Sequence, residues 1–161
     1  MTDKDTIPFR GIYNDPGCYR PLNYHSKEIR YLEVAPGYGK EPLLCTLGYT
    51  SLVDDVAPFE ALSYTWGDIS TTVMLNLRYL DEHSRQQSEY QTQHYKITPN
   101  LQGALLRLRY EDQPRKIWVD AVCINQVDDT ERTEQVQIMG LVYSIAQRVL
   151  VWLGEEDLSS N

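Results

Sequence analysis

Hydrophobic and polar positions alternate over two stretches that follow an irregular beginning. The stretch "IRYLEVAPG", which starts at Ile29, alternates apolar and polar residues and stops at a Pro-Gly pair, and "PLLCTLGYT" repeats the pattern after a short turn. Period-two alternation bounded by turn residues is typical of half-buried strands, so we expect a β-hairpin here. Residues 1–27 carry several prolines and little periodicity. They are predicted to form an irregular N-terminal arm ahead of one domain over residues 28–161.

Three apolar runs of strand length alternate with two helical patterns in the second part of the chain. Strands are expected at residues 59–64, at "KIWVDAVCI" and at "RVLVWLG", and the last run is typical of a strand buried on both faces. Asn100 is predicted to be the N-cap of the first helix. The second helix is expected over about residues 129–147, where Asp128 and Glu131 have the spacing of a capping box. Its inward stripe is predicted to comprise Val136, Met139, Tyr143 and Ala146.

The order of these elements indicates the fold class. Between the first strand and the first helix, residues 69–98 predict a second strand pair, "TVMLNLRYL" and "HYKIT", around a polar stretch that we interpret as a mobile insertion. The order is then strand, variable hairpin, helix, strand, helix, strand. Such alternation implies right-handed crossovers and a mainly parallel sheet. We therefore predict an α/β fold with helices flanking the sheet and an added β-hairpin region near the N-terminus.

Polar side chains follow the predicted strands at residues 59–64 and 116–120. In an open parallel sheet, ligands tend to bind beyond the carboxyl ends of the strands, where loops and helix N-termini converge. If the two strands are neighbours, their polar ends face one crevice. An indole for stacking, carboxylates for ribose hydroxyls and amides for a base edge would suit a nucleotide. The candidate nucleotide-binding residues are Ser63, Trp66, Gly67, Asp68, Asp120, Asn125 and Gln126.

Each of these polar residue types also has a plainer structural interpretation. Asp128 and Glu131 suit a helix N-terminus, and Asp120 suits a loop braced through backbone hydrogen bonds. Cys123 has the neighbours of a small buried hydrophobic residue rather than those of a nucleophile. Ser63 lacks the Gly-x-Ser-x-Gly elbow of acyl-transfer enzymes. The three histidines lie in polar segments without ligand spacing, so no metal site is predicted.

Composition and charge narrow the classes of partner. The chain has 161 residues, with 15 Lys and Arg against 23 Asp and Glu, a formal charge of -8. Because a phosphate backbone would be repelled, nucleic acid is not expected as a partner. The three cysteines are widely spaced and form no CxxC pair, which favours reduced thiols and a cytoplasmic location. No apolar run resembles a signal peptide or reaches the roughly 20 residues of a membrane helix, so no membrane association is expected.

Three blocks of the chain resemble a known family. "FEALSYTWGD", "ITPNLQGALLRLR" and "KIWVDAVCINQVDDTERTEQVQIMGLVYSIAQRVLVWLGEE" are similar, in this order, to successive blocks of the fungal heterokaryon incompatibility (HET) domain. The resemblance runs from about Ile29 to Glu156. It implies a cell-death signalling or effector domain of fungal self/non-self recognition. It also implies a domain that is incomplete at its C-terminus, because the chain stops before a later family block of the form W-x-R-x-W-x-x-Q-E.

The HET domain is in turn distantly similar to Toll/interleukin-1 receptor (TIR) domains. "ALSYTWGD" resembles their first strand and "RVLVWLG" a later one, which implies a flavodoxin-like sheet. Some TIR domains cleave NAD with a glutamate, so the resemblance implies NAD as a ligand or substrate. No cofactor is certain, and whether the chain is an enzyme stays open. Glu131 and Glu155 are the candidate catalytic residues, although Glu155 with Glu156 and Asp157 also suits a solvated acidic end. The alternative is a non-catalytic module that binds protein partners or a second copy of itself.

Overall fold

The structure, a computed structural model, describes residues 16–81 and 89–155. The first fifteen residues of the predicted arm, residues 82–88 of the polar stretch, and the acidic residues Glu156 and Asp157 lie outside the described residues. A short 3-10 helix, Pro16–Cys18, precedes the main elements. These are β1 (Glu28–Val34), β2 (Leu44–Ser51), β3 (Glu60–Tyr64), β4 (Val73–Leu80), β5 (Tyr90–Ile97), α1 (Pro99–Leu108), β6 (Arg115–Trp118), α2 (Asp120–Cys123), α3 (Asp129–Ile145) and β7 (Val149–Trp152).

The seven strands of the described residues form one mixed sheet in the order β5-β4-β2-β1-β6-β3-β7. The predicted hairpin is confirmed as the antiparallel pair β1 and β2. The α/β class is confirmed, but the sheet is mixed rather than mainly parallel, because β1 also pairs antiparallel with β6. The hairpin is therefore built into the middle of the sheet instead of being added to it. Apolar alternation alone does not reveal which strand a hairpin will contact on its outer side.

The strands that were expected to carry the site are neighbours and run in the same direction. β3 pairs in parallel with β6, with Glu60 opposite Ile117 and Ala61 opposite Trp118. β7 lies on the other side of β3, also in parallel. The carboxyl ends of β6, β3 and β7 therefore meet at one edge of the sheet, as the sequence pattern required for a shared site.

Helices α1 and α3 cover opposite faces of this parallel part of the sheet. Ser63 and Val151 are register partners in β3 and β7 and share one face, whereas Trp152 points to the other. Tyr143 of α3 forms a hydrogen bond with the hydroxyl of Ser63. Asn100 of α1 accepts a hydrogen bond from the indole of Trp152 at 3.0 Å. Opposite faces are expected, because the crossovers β3 to β6 and β6 to β7 run in opposite directions.

The first helix begins two residues earlier than the position of the predicted N-cap implies. Thr98 is the N-cap, and its side chain accepts from the backbone N–H of Leu101 at 3.2 Å. The prediction that Asn100 caps this helix is wrong. Pro99 occupies the first helical position, where its fixed φ and missing N–H cost nothing. Asn100 is thereby free to donate to the carbonyl of Thr65 at 2.6 Å, at the exit of β3.

The N-cap of α3 is confirmed, whereas the reciprocal half of the capping box is not. The side chain of Asp128 accepts from the backbone N–H of Glu131 at 3.1 Å. The carboxylate of Glu131 accepts from the backbone N–H of Asn125 rather than from that of Asp128. The inward stripe also differs, because Val136 is exposed while Glu131, Gln135 and Val142 are buried. Met139, Tyr143 and Ala146 do pack partly against the core. Polar residues occupy inward positions here because they have partners inside the protein.

Two strand predictions need correction at their ends. "KIWVDAVCI" is a strand only as far as Trp118, after which Asp120 begins the short helix α2. β7 was predicted to be buried on both faces, but it is an edge strand whose Val149 and Val151 are 45% and 66% exposed. Part of the polar stretch before β5, which was interpreted as an insertion, is itself strand from Tyr90 onward. Within the described residues, no helix is long and apolar enough to cross a membrane.

Candidate functional site at the strand ends

The exit of β3 is ordered by an aromatic pair and a glycine turn. The rings of Tyr64 and Trp66 are stacked, with centroids 6.4 Å apart and planes at 6°. Gly67 follows with φ of 68°, a left-handed conformation that glycine adopts without steric cost. The indole N–H of Trp66 donates a hydrogen bond to the carboxylate of Asp120, at the exit of β6. The two polar strand ends are therefore in direct contact.

Asp120 supplies the carboxylate of this contact. Burial raises the pKa of Asp120, and hydrogen bonds from the backbone N–H of Ala121 and from the Trp66 indole partly oppose this rise. Burial also raises the pKa of Tyr64, and the nearby charge of Asp120 adds to the effect. The buried Tyr64 hydroxyl has no hydrogen-bond partner among the described residues. The crevice between β3 and β6 is therefore a partly dehydrated environment.

Side chains fill most of this crevice. The remaining cavity has a volume of about 20 Å³, which is room for roughly one water molecule. Gln126 closes one side, where its amide donates to the backbone carbonyl of Asp120 at 3.0 Å. The cavity is lined by Tyr64, Trp66, Lys96, Ile97, Thr98, Ala121 and Gln126. Ser63 lies on the opposite face of the sheet, against Tyr143.

Asn125 shapes the loop between α2 and α3. Its side-chain oxygen accepts from the N–H of Val127 at 3.3 Å, an arrangement typical of an Asx turn. Its backbone N–H donates to the carboxylate of Glu131, and its carbonyl accepts from Asp128 at 3.3 Å. The side chain of Asn125 is therefore used in the turn and does not line the cavity between β3 and β6.

Glu131 forms a buried ion pair with Arg30 of β1. The two carboxylate oxygens accept from the two terminal nitrogens of Arg30 at 2.9 and 2.7 Å, and the two side chains are 2% and 1% exposed. Arg30 also donates to the carbonyls of Arg20 and Cys123. The guanidinium lies over the ring of Tyr19, 4.3 Å from its centroid. This cluster ties the described part of the arm, β1, α2 and α3 together.

Sequence reasoning missed Arg30, although a signal for it was present. The partner lies 101 residues away along the chain, so no local pattern joins Arg30 to Glu131. Alternation along β1, however, puts Arg30 on the same face as Leu32 and Val34, which are both buried. A charged residue in the apolar phase of a strand indicates a buried partner of opposite charge.

A larger depression lies outside the crevice, beyond the ends of β3 and β7. Its volume is about 480 Å³, and it is lined by Asp68, Thr71, Pro99, Asn100, Gly103 and Glu155. Asp68 accepts from the N–H and hydroxyl of Ser70 at 2.9 and 2.6 Å, and these hydrogen bonds lower its pKa. The Glu155 carboxylate lies close over α1, where a Cβ on Gly103 would come within 3.0 Å of Oε1. The exposed carboxylates of Asp68, which follows β3, and Glu155, which follows β7, thus face one open depression.

The structure divides the predicted site residues into separate groups. Asp68 and Glu155 line the depression, with Gly67 at the turn beside it, whereas Trp66, Asp120 and Gln126 surround the crevice. Ser63, Asn125 and Glu131 lie elsewhere. The depression suits hydrogen bonds to hydroxyl groups, which exposed carboxylates accept readily. Burial raises the pKa of both the Cys45 and the Cys123 thiol to about 12, so neither is set up as a nucleophile.

Comparison with known proteins gives two matches. The family model described as "Heterokaryon incompatibility protein (HET)" matches residues 59–161. A curated protein of Neurospora crassa, "Heterokaryon incompatibility protein 6, OR allele", is 33% identical over 146 residues, which cover 87% of this chain and 21% of that protein. The chain thus spans about a fifth of the length of this relative. No solved structure matches the chain.

Proposed function

Because the chain belongs to the heterokaryon incompatibility (HET) family, we propose that it is a cell-death signalling domain of fungal self/non-self recognition. The family match over residues 59–161 is the observation that carries this proposal. The name of the Neurospora crassa relative, a heterokaryon incompatibility protein, supports it. We propose a cytoplasmic location, which is supported by the three buried cysteines, since none of them forms a disulfide within the described residues.

A flavodoxin-like, TIR-like core is the fold that we propose for this signalling role. The parallel strands β6, β3 and β7 support it, because their connecting helices lie on opposite faces of the sheet. In doubly wound sheets, the crevice for a ligand lies where neighbouring strands send their connections to opposite faces. Here those strands are β3 and β6, whose exits meet at Trp66 and Asp120.

Cleavage of NAD is the second candidate function, and the depression favours it. Its volume of about 480 Å³ falls within the range of sites that bind small molecules. In this proposal Asp68 accepts hydrogen bonds from ribose hydroxyls, and Glu155 stabilises the positive charge that develops on the ribose when the nicotinamide bond breaks. Glu131 is not assigned a catalytic role, because Arg30 and Asn125 occupy its carboxylate.

Inducible expression of the chain in a filamentous fungus tests the signalling proposal. We expect growth arrest and uptake of a vital dye by hyphae that express the wild-type chain. The Asp68→Asn/Glu155→Gln double variant should suppress death if the depression is involved. Glu111→Gln, a substitution in an exposed loop, is the matched control and should kill normally. Normal growth of hyphae with abundant, folded wild-type protein would refute the proposal.

Incubation of purified protein with NAD separates the two candidate functions. An enzyme releases nicotinamide, and Glu155→Gln abolishes the release while leaving the melting temperature unchanged. A ligand that is bound but not cleaved raises the melting temperature, since saturation at 100 times the dissociation constant adds about 2.7 kcal/mol. If the chain kills hyphae but releases no nicotinamide even at high protein concentration, the NAD-cleavage proposal is refuted and signalling through protein contacts is supported.

A further inference from the structure

The small cavity in the crevice between β3 and β6 adjoins the larger depression. Trp66 and Thr98 line the cavity. Their near neighbours in the chain, Asp68, Pro99 and Asn100, line the depression. The two spaces therefore have the turn after β3 and the start of α1 as common walls. The cavity of about 20 Å³ is too small for an aromatic ring, so a ring can enter the crevice only where a side chain leaves it.

The indole of Trp66 makes two contacts in the crevice that are of the kind a flat ligand makes. Its ring is stacked on Tyr64, with planes at 6°, and its N–H donates to the carboxylate of Asp120. The hydroxyl of Tyr64 is buried and has no hydrogen-bond partner among the described residues, which is costly. The crevice therefore offers an aromatic face, an acceptor that the indole uses, and a hydroxyl donor that it leaves unused.

We propose that the nicotinamide ring of NAD binds in this crevice by displacing the indole of Trp66, an inference that rests on the proposed cleavage of NAD. Nicotinamide is flat and has as many non-hydrogen atoms as indole, so it fits the space that the indole leaves. Its ring stacks on Tyr64, and its carboxamide N–H replaces the indole N–H at Asp120. The carboxamide oxygen accepts from the Tyr64 hydroxyl. The ligand thus reproduces both contacts of Trp66 and adds one that Trp66 does not make.

The crevice favours nicotinamide over adenine, the other flat ring of NAD. In NAD the nicotinamide ring carries a positive charge, which the carboxylate of Asp120 and the face of the Tyr64 ring both attract. Position gives a second reason, because a ring in the crevice directs its ribose toward the adjoining depression, where Asp68 and Glu155 lie. Lys96 also lines the cavity, but it is exposed, so solvent screens its repulsion of the ring.

Trp66 is placed to leave the crevice without unfolding its neighbours. It is half-buried and lies in the loop that follows β3. On one side, the carbonyl of Thr65 is held by the amide of Asn100 at 2.6 Å. On the other side, Gly67 supplies a backbone position with little steric restriction. The indole therefore acts as a lid, and the affinity for the ring is reduced by the small fraction of molecules in which the lid is open.

Calorimetric titration of Trp66→Ala with nicotinamide tests whether the indole competes with the ring. Because the variant has no lid to open, it should bind nicotinamide roughly tenfold or more tightly than wild type. Equal or weaker binding by the folded variant would overturn the proposal, since a tryptophan that stacks on the ligand gives that result. Tyr64→Phe keeps the ring, removes the hydroxyl and should weaken binding several-fold. Tyr38→Phe, at a tyrosine that is 69% exposed, is the matched control and should bind as wild type does.

The indole N–H signal of Trp66 in a nitrogen–proton correlation spectrum tests the displacement in the wild-type chain. Saturating nicotinamide should move this signal to the position of a solvent-exposed tryptophan and leave the signal of the buried Trp118 unchanged. AMP tests the adenine ring, and a response of Trp66 to AMP but not to nicotinamide would overturn the assignment of the crevice to nicotinamide.

Release of nicotinamide from NAD, measured on the same sample, separates this inference from the proposed cleavage. Release without any response of Trp66 to nicotinamide overturns the inference and leaves the enzyme. A response of Trp66 without release supports the nicotinamide site and refutes cleavage alone. Neither release nor response overturns both.

Discussion

Removal of Glu131 is expected to destabilise the protein severely. The substitution Glu131→Ala leaves two N–H donors of Arg30 and the N–H of Asn125 without the acceptor they share. Both members of the pair are almost fully buried, so water cannot replace the lost partner. Breaking a buried ion pair on one side typically costs about 3–5 kcal/mol. That is roughly a fifth or more of the 5–15 kcal/mol that stabilises an ordinary domain.

Urea unfolding followed by circular dichroism measures this cost. With a slope of about 2 kcal/mol per molar urea, the midpoint should fall by about 2 M. Arg132→Ala is the matched control, because it removes an exposed i,i+3 ion pair with Asp129 and should change stability by less than about 1 kcal/mol.

A compensating double variant strengthens the test. Arg30→Met combined with Glu131→Leu removes both charges and should recover much of the stability that Glu131→Ala loses, since an apolar pair leaves no buried charge unpaired. If Glu131→Ala unfolds at the same urea concentration as Arg132→Ala, the assignment of Glu131 to a structural role is refuted. Loss of activity in Glu131→Ala alone is therefore no evidence for a catalytic glutamate.

Three further substitutions probe the elements around the site. Burial raises the folded-state pKa of Asp120 above its ordinary value of 3.8. The stability that this residue contributes is therefore complete below pH 3.8 and is lost as the pH rises through the raised pKa. In urea titrations, the free energy of unfolding of wild type relative to Asp120→Asn should fall as the pH rises between these two pKa values. Thr98→Ala should cost about 1 kcal/mol by removing the N-cap of α1, whereas Thr92→Ala, on an exposed strand position, should cost less. Gly67→Ala should lower the melting temperature, since a side chain at φ of 68° costs roughly 1–2 kcal/mol.

Local periodicity was sufficient to predict most of the elements. The hairpin β1–β2 and strand β3 were predicted within a residue or two, because alternation and turn residues are properties of short segments. The parallel direction of β3 and β6 also followed from the alternation of strands and helices, whereas the sequence left open whether the two strands are neighbours. The mixed order of the sheet was not predictable, because it depends on which strand β1 meets on its second side.

Errors arose where a residue's partner is distant in the chain. Gln135 occupies an inward position of α3 because its amide reaches the carbonyl of Glu28 at 3.3 Å. The apolar run of β7 was read as doubly buried, but an apolar sequence does not tell whether a further strand lies beside it. The crevice was predicted to suit a nucleotide, whereas the side chains around it, Trp66 and Tyr64 among them, leave a cavity of only about 20 Å³. Side-chain packing of this kind is decided by three-dimensional fit.

The contact between Trp66 and Asp120 tests the central claim, that the ends of β3 and β6 meet at one site. The measurement is the indole N–H signal of Trp66 in a nitrogen–proton correlation spectrum, assigned with Trp66→Phe and followed through acidic pH. We predict that the signal moves with a midpoint above the ordinary Asp value of 3.8, and that Asp120→Asn abolishes the movement. A Trp66 signal with the same pH response in wild type and Asp120→Asn would contradict the account.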